Sequence, residues 1–136
     1  MILFIRIDYG NIRRIKKKYN SLNEERYILY KKISELEQQE VARKFKVGEC
    51  YLNTYSNSFT KIILRDNPAL HCIVVTNGSV SRGRYYLDDT KYWEKITSEQ
   101  FKDIYLAVIK DIQDPDLEDE SNWDKTLKSI KNSLNS

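Results

Sequence analysis

At 136 residues, with 40% apolar and 32% charged side chains, the chain is sized for one domain with an appendage and is too apolar for wholesale disorder. One histidine and two cysteines cannot fill an ordinary zinc site without carboxylates, and the four glycines, none in phosphate-loop spacing, form no phosphate-cradling loop. The net charge of +3 is unevenly spread: residues 1–46 carry 12 basic and 6 acidic groups, whereas residues 111–136 carry 3 and 7.

The opening run Ile2–Ile7 is too short for a signal core and lacks a basic segment before it. No apolar run approaches membrane-spanning length. The expectation is a soluble cytoplasmic protein with reduced thiols and no membrane contact. Ten tyrosines suit half-buried strand and interface positions. Abundant Lys, Asn and Ile beside scarce Ala suit an AT-rich genome, such as that of a low-GC bacterium or its phages.

Ile2–Ile7 reads as a buried strand or the entry to a helix, its β-branched isoleucines tilting the reading to strand, and Asp8-Tyr9-Gly10-Asn11 reads as a turn. From Ile12 the spacing becomes helical. Ile12, Ile15, Tyr19, Leu22, Arg26, Leu29, Ile33, Leu36 and Glu40 recur at alternating steps of three and four. This is the seam of a coiled coil or of a long amphipathic helix. Ser21 with Glu24 makes a capping box, so residues 11–44 form either one helix or a short helix before a long one. The apolar seam residues Ile15, Tyr19, Leu22, Leu29, Ile33 and Leu36 are the candidate oligomer interface.

Residues 45–96 switch to strand character. Phe45–Tyr55 is a strand with Gly48 as a bulge, and Phe59–Arg65 is a second. Asp66-Asn67-Pro68 is a turn. Leu70–Thr76 is apolar on both faces and therefore central. Asn77-Gly78 is a hairpin dipeptide, and Val80–Leu87 is the return strand. Period two places Arg82, Arg84 and Tyr86 on one face of it, and Gly83, Tyr85 and Leu87 on the other. After Asp88-Asp89, Tyr92–Ile96 is a short edge strand. Thr97 with Gln100 caps a helix over residues 98–112, with Phe101, Ile104, Tyr105, Val108 and Ile112 on one side. Ser121 caps a last helix bearing Trp123, Leu127, Ile130 and Leu134.

The fold class is α+β. Residues 1–44 are an N-terminal strand and helical segment. Residues 45–112 are a four- to five-stranded antiparallel module with its closing helix. Residues 113–136 are an acidic linker and a short helix.

Two features support binding. Arg82, Arg84 and Tyr86, with Lys91 and Tyr92 close in sequence, could grip phosphates and stack on bases. The same row also reads as a solvated face that keeps a sheet edge from aggregating. The cluster Arg13, Arg14, Lys16, Lys17, Lys18 attracts polyanions, or is simply a solvated helix face. Catalysis is weakly supported. His71 and Cys72 are adjacent on a strand and point apart, though His71 could meet Cys50 across strands. No metal site and no cofactor are expected; Asp88-Asp89 reads as turn chemistry.

Val47-Gly48-x-x-Tyr51, followed by short strands and then Trp93-Glu94-Lys95-Ile96-Thr97-x-Glu99-x-Phe101 entering a helix, forms an outline across residues 46–109. It is similar to small uncharacterised proteins of phages and mobile elements in low-GC gut bacteria. The resemblance implies an SH3-like barrel closed by a helix, and a phage accessory protein such as an inhibitor of host defence. It carries over no catalytic residue. The reading is a non-enzymatic protein–protein interaction module, a homo-oligomer with a further protein partner. The alternative is a nucleic-acid or nucleotide binder using Arg82, Arg84, Tyr86, Lys91 and Tyr92.

Overall fold

The computed structural model describes residues 9–115 and 120–136. The strand expected over Ile2–Ile7 lies outside the described residues. The chain divides into two compact units, Met1–Leu36 and Glu37–Ser136. Among the described residues no helix is long and apolar enough to cross a membrane.

A single helix, α1 (Tyr9–Lys44), runs through Ser21 without a break. Neither Gly nor Pro occurs between Asn11 and Lys44, so nothing forces the capping box at Ser21 to open a new helix. In the first unit every helical residue from Tyr9 to Ile33 is exposed.

The second unit holds the last turns of α1, then β1 (Cys50–Asn53), β2 (Ser58–Asp66), β3 (Ala69–Thr76), β4 (Ser79–Tyr85), a 3-10 turn (Leu87–Thr90) and β5 (Trp93–Ile96). Helices α2 (Ser98–Gln113) and α3 (Asn122–Leu134) follow. All strand pairs are antiparallel, in the order β4-β3-β2-β1-β5.

The first strand is shorter than the sequence suggests. Phe45 is not in it; its N–H donates to the Val41 carbonyl at 3.0 Å, continuing the helical turn, and its ring is buried. At the other end, the Asn53 carboxamide oxygen accepts the N–H groups of Tyr55 and Ser56, which turns the chain before Tyr55 can pair. Gly48 does form the expected bulge. Its N–H donates to the Ile62 carbonyl at 2.8 Å, and the Ile62 N–H donates to Glu49 at 3.0 Å, so two residues face one. Gly48 takes φ +92°, which a side chain would resist. A second irregularity in β2, between Ile62 and Leu64, was not foreseen.

The sheet does not close into an SH3-like barrel. β4 and β5 are its two edges and share no ladder. Tyr85 at the end of β4 and Trp93 at the start of β5 meet ring edge to ring face, with centroids 5.4 Å apart. Aromatic side chains thus occupy the place where a barrel would have strand pairing.

Two cores lie on opposite faces. One joins Cys50, Leu52, Phe59 and Val75 of the sheet to Phe101, Ile104 and Val108 of α2, and to Trp123 and Ile130 of α3. The other joins Val41 and Phe45 to Tyr51, Ile62, Leu70, Cys72 and Val74. Phe45, Tyr51, Tyr85 and Trp93 build an aromatic cluster there, including a Tyr51–Trp93 stack at 5.3 Å. β3 contributes Val75 to one core and Leu70, Cys72 and Val74 to the other, as its two apolar faces require.

Candidate binding groove beside strand β4

Register sets the faces of β4. Val80, Arg82 and Arg84 pair with Val75, Ile73 and His71, so they project to the side covered by α2. Ser81, Gly83 and Tyr85 project to the aromatic side, against Val74, Cys72 and Leu70.

A groove of about 660 Å³ lies between this part of β4 and the first half of α2. Ile73, Val80, Phe101 and Tyr105 give it an apolar lining. Lys61 from β2, Arg82 from β4 and Lys102 from α2 bring three positive charges to it, and Glu99 one negative charge. None of these four groups has an ion-pair partner among the described residues. Groove size and lining suit a ligand or peptide segment with an apolar part and an anionic part.

The five residues expected to bind a nucleotide are not gathered at one place. Arg82 lines the groove. The Arg84 guanidinium lies 5.7 Å from the Tyr86 ring, beyond the end of β4, where the Tyr86 N–H donates to Asp89 at 2.8 Å. The Lys91 ammonium sits 5.4 Å from the Tyr92 ring, and Tyr92 stacks on the exposed Tyr55 at 5.4 Å. Sequence reasoning missed Lys61, Phe101, Lys102 and Tyr105 as groove residues. A signal existed for Lys61, a lysine that strand alternation places on the same face as the core residue Phe59.

The seam of α1 is exposed along its length, from Ile12 at 39% to Tyr19 at 63%. Ile15, Leu22, Leu29, Ile33 and Leu36 lie between these limits.

The two thiols lie apart from each other. Cys50 and Cys72 are buried on opposite faces of the sheet. His71 does not meet Cys50 across strands, because β2 lies between β1 and β3. Burial pushes the Cys72 thiol up to about 12, and burial also raises Cys50 despite the nearby Lys61. Tyr51 is likewise pushed up to about 12, by burial first and by Glu49 second. Among the described residues, no group of three or more His, Cys, Asp or Glu side chains could hold a metal ion.

Set beside known proteins, the chain matches no family model, no curated protein and no solved structure, so the reading of groove and seam rests on their own residues.

Proposed function

We propose that the protein is a non-enzymatic interaction module that pairs with a second copy of itself through α1. The exposed apolar seam carries this reading. A helix without tertiary packing is marginal in water, and among the described residues every position from Tyr9 to Ile33 is exposed. Covering the seam supplies what the helix lacks, at about 1.5–3 kcal/mol per large side chain before ordering costs.

The heptad favours two parallel strands. With Ile12 at position a, the d positions hold Ile15, Leu22, Leu29 and Leu36, and the a positions include β-branched Ile12 and Ile33. That arrangement favours parallel dimers. Arg26 occupies an a position, and Glu25 the g position before it. In a parallel in-register pair each Arg26 reaches Glu25 of the other helix, so the buried cation fixes register instead of opposing association.

Sedimentation equilibrium tests this. Wild type should show twice the 16.2 kDa chain mass. Leu29→Asp with Ile33→Asp should give a single-chain mass with the sheet unit still folded. A wild-type protein that stays monomeric at high micromolar concentration overturns the proposal.

A second reading has one observation in its favour. The Tyr55–Tyr92 stack with Lys91 is an exposed aromatic pair carrying a cation, a platform of the kind that takes unpaired bases. Titration with single-stranded oligonucleotides, comparing wild type with Tyr55→Ala, decides it.

A further inference from the structure

The outer edge of β4 is open. β4 pairs with β3 on one side and has no strand on the other among the described residues. Such an edge offers a row of unused N–H and C=O groups, and proteins guard it with charge. Here Arg82 and Arg84 are the guard. A second β4 laid antiparallel about Arg82 would set arginine against arginine, which is destabilising. The same charges welcome a strand of opposite sign.

The groove lies on one side of that edge. Residues i and i+2 of a strand added to β4 would both face α2. One meets the apolar lining of Ile73, Val80 and Phe101, and the next meets Arg82 and Lys102. Three cations against Glu99 leave a net charge of +2 at the groove.

We propose that β4 accepts an extended acidic peptide segment as a sixth strand, with an apolar side chain in the groove and flanking carboxylates on Arg82 and Lys102. Main-chain hydrogen bonds hold the segment, and the groove selects its alternate side chains. The pattern read is acid, any residue, apolar, any residue, acid. This surface shares no residue with the α1 seam, and a dimer would carry two of them.

The probe is the acetylated, amidated heptapeptide Thr-Glu-Thr-Ile-Thr-Glu-Thr, titrated into the full-length protein labelled with nitrogen-15. Amide shifts are expected along Ser79–Tyr85 and the first half of α2. Arg82→Glu and Lys102→Glu should each weaken binding by about tenfold, the scale of a lost charge pair at a partly desolvated contact. The lysine version of the peptide, and a version N-methylated at alternate residues, should not bind. The proposal is overturned by no binding at millimolar peptide, or by equal binding of the lysine or N-methylated peptide. It is equally overturned by shifts confined to other surfaces, or by an oligothymidylate shifting the same amides at lower concentration than the peptide.

Discussion

The carboxylate of Asp111, near the end of α2, accepts the backbone N–H of Trp123, in the first turn of α3, at 2.9 Å. Its other oxygen accepts the Asn122 N–H at 2.9 Å and the Asn122 side-chain amide at 2.8 Å. The Ser121 hydroxyl accepts the Asp124 N–H. The free donors at the start of α3 are therefore met by one helix capping another, which seats Trp123 and Ile130 in the core. Asp111→Ala should cost about 1–2 kcal/mol in urea unfolding, as lost caps do. It should also expose Trp123 to iodide quenching.

Asp111 further sets an acid limit. Burial alone would raise its carboxyl; the bonds from Trp123 and Asn122, with Lys110 close by, outweigh burial and hold it below the usual carboxylate range. A depressed native value means that its stabilisation is complete above the unfolded carboxylate's pKa and is lost as pH falls through the native one. Glu49 behaves alike. Burial raises it, but the 2.6 Å contact with Lys95 and the Lys46 N–H lower it further. The melting temperature should therefore drop as pH falls below about 4. Asp111→Asn should flatten that drop and Glu49→Gln should flatten it independently, as followed by calorimetry.

Gly83 is held by its neighbours rather than by its backbone. A Cβ there would lie 2.8 Å from the Tyr85 ring and 2.8 Å from a Val74 methyl group. Gly83→Ala should push Tyr85 away from Trp93, at about 1–3 kcal/mol for overpacking. Tryptophan emission and urea titration should move together.

Arg65 closes α1. One guanidinium nitrogen donates to the carbonyls of Ala42 at 2.8 Å and Phe45 at 2.9 Å, which no later helical N–H reaches. Arg65→Met should cost about 1.5–3 kcal/mol, the scale of hydrogen bonds from a charged donor. Hydrogen exchange should accelerate in residues 41–45 first.

At the seam, Glu25→Lys should weaken self-association by setting like charge beside Arg26, and adding Arg26→Glu should restore it. Sedimentation of wild type, both single variants and the double variant measures the coupling. Equal association by all four would remove the parallel in-register arrangement.

What the sequence made legible was local. Thr97 with Gln100 marks the start of α2, Asn77-Gly78 marks the hairpin, and Ser121 marks α3, because each signal and its outcome lie within a few residues. The long apolar seam reads as helical, but Ser21 with Glu24 leaves one helix or two open, and the structure makes it one. Less legible was whatever joins distant segments. Nothing near Arg65 announces that it caps a helix more than twenty residues earlier, and nothing near Asp111 announces Trp123. The pairing of β5 with β1 joins segments far apart in the chain, and no residue near either announces it. The groove draws residues from β2, β3, β4 and α2, so only Arg82 among its charged residues stood out in advance.

One consequence follows from Cys50 and Cys72 lying on opposite sides of the sheet. They cannot bridge within one chain, so each serves as a separate internal clock. Pulse labelling with a thiol reagent would time the departure of α2 and α3 through Cys50, and the loosening of the aromatic layer through Cys72. Equal rates would mean that both layers peel away in one cooperative event; unequal rates would show which side lets go first.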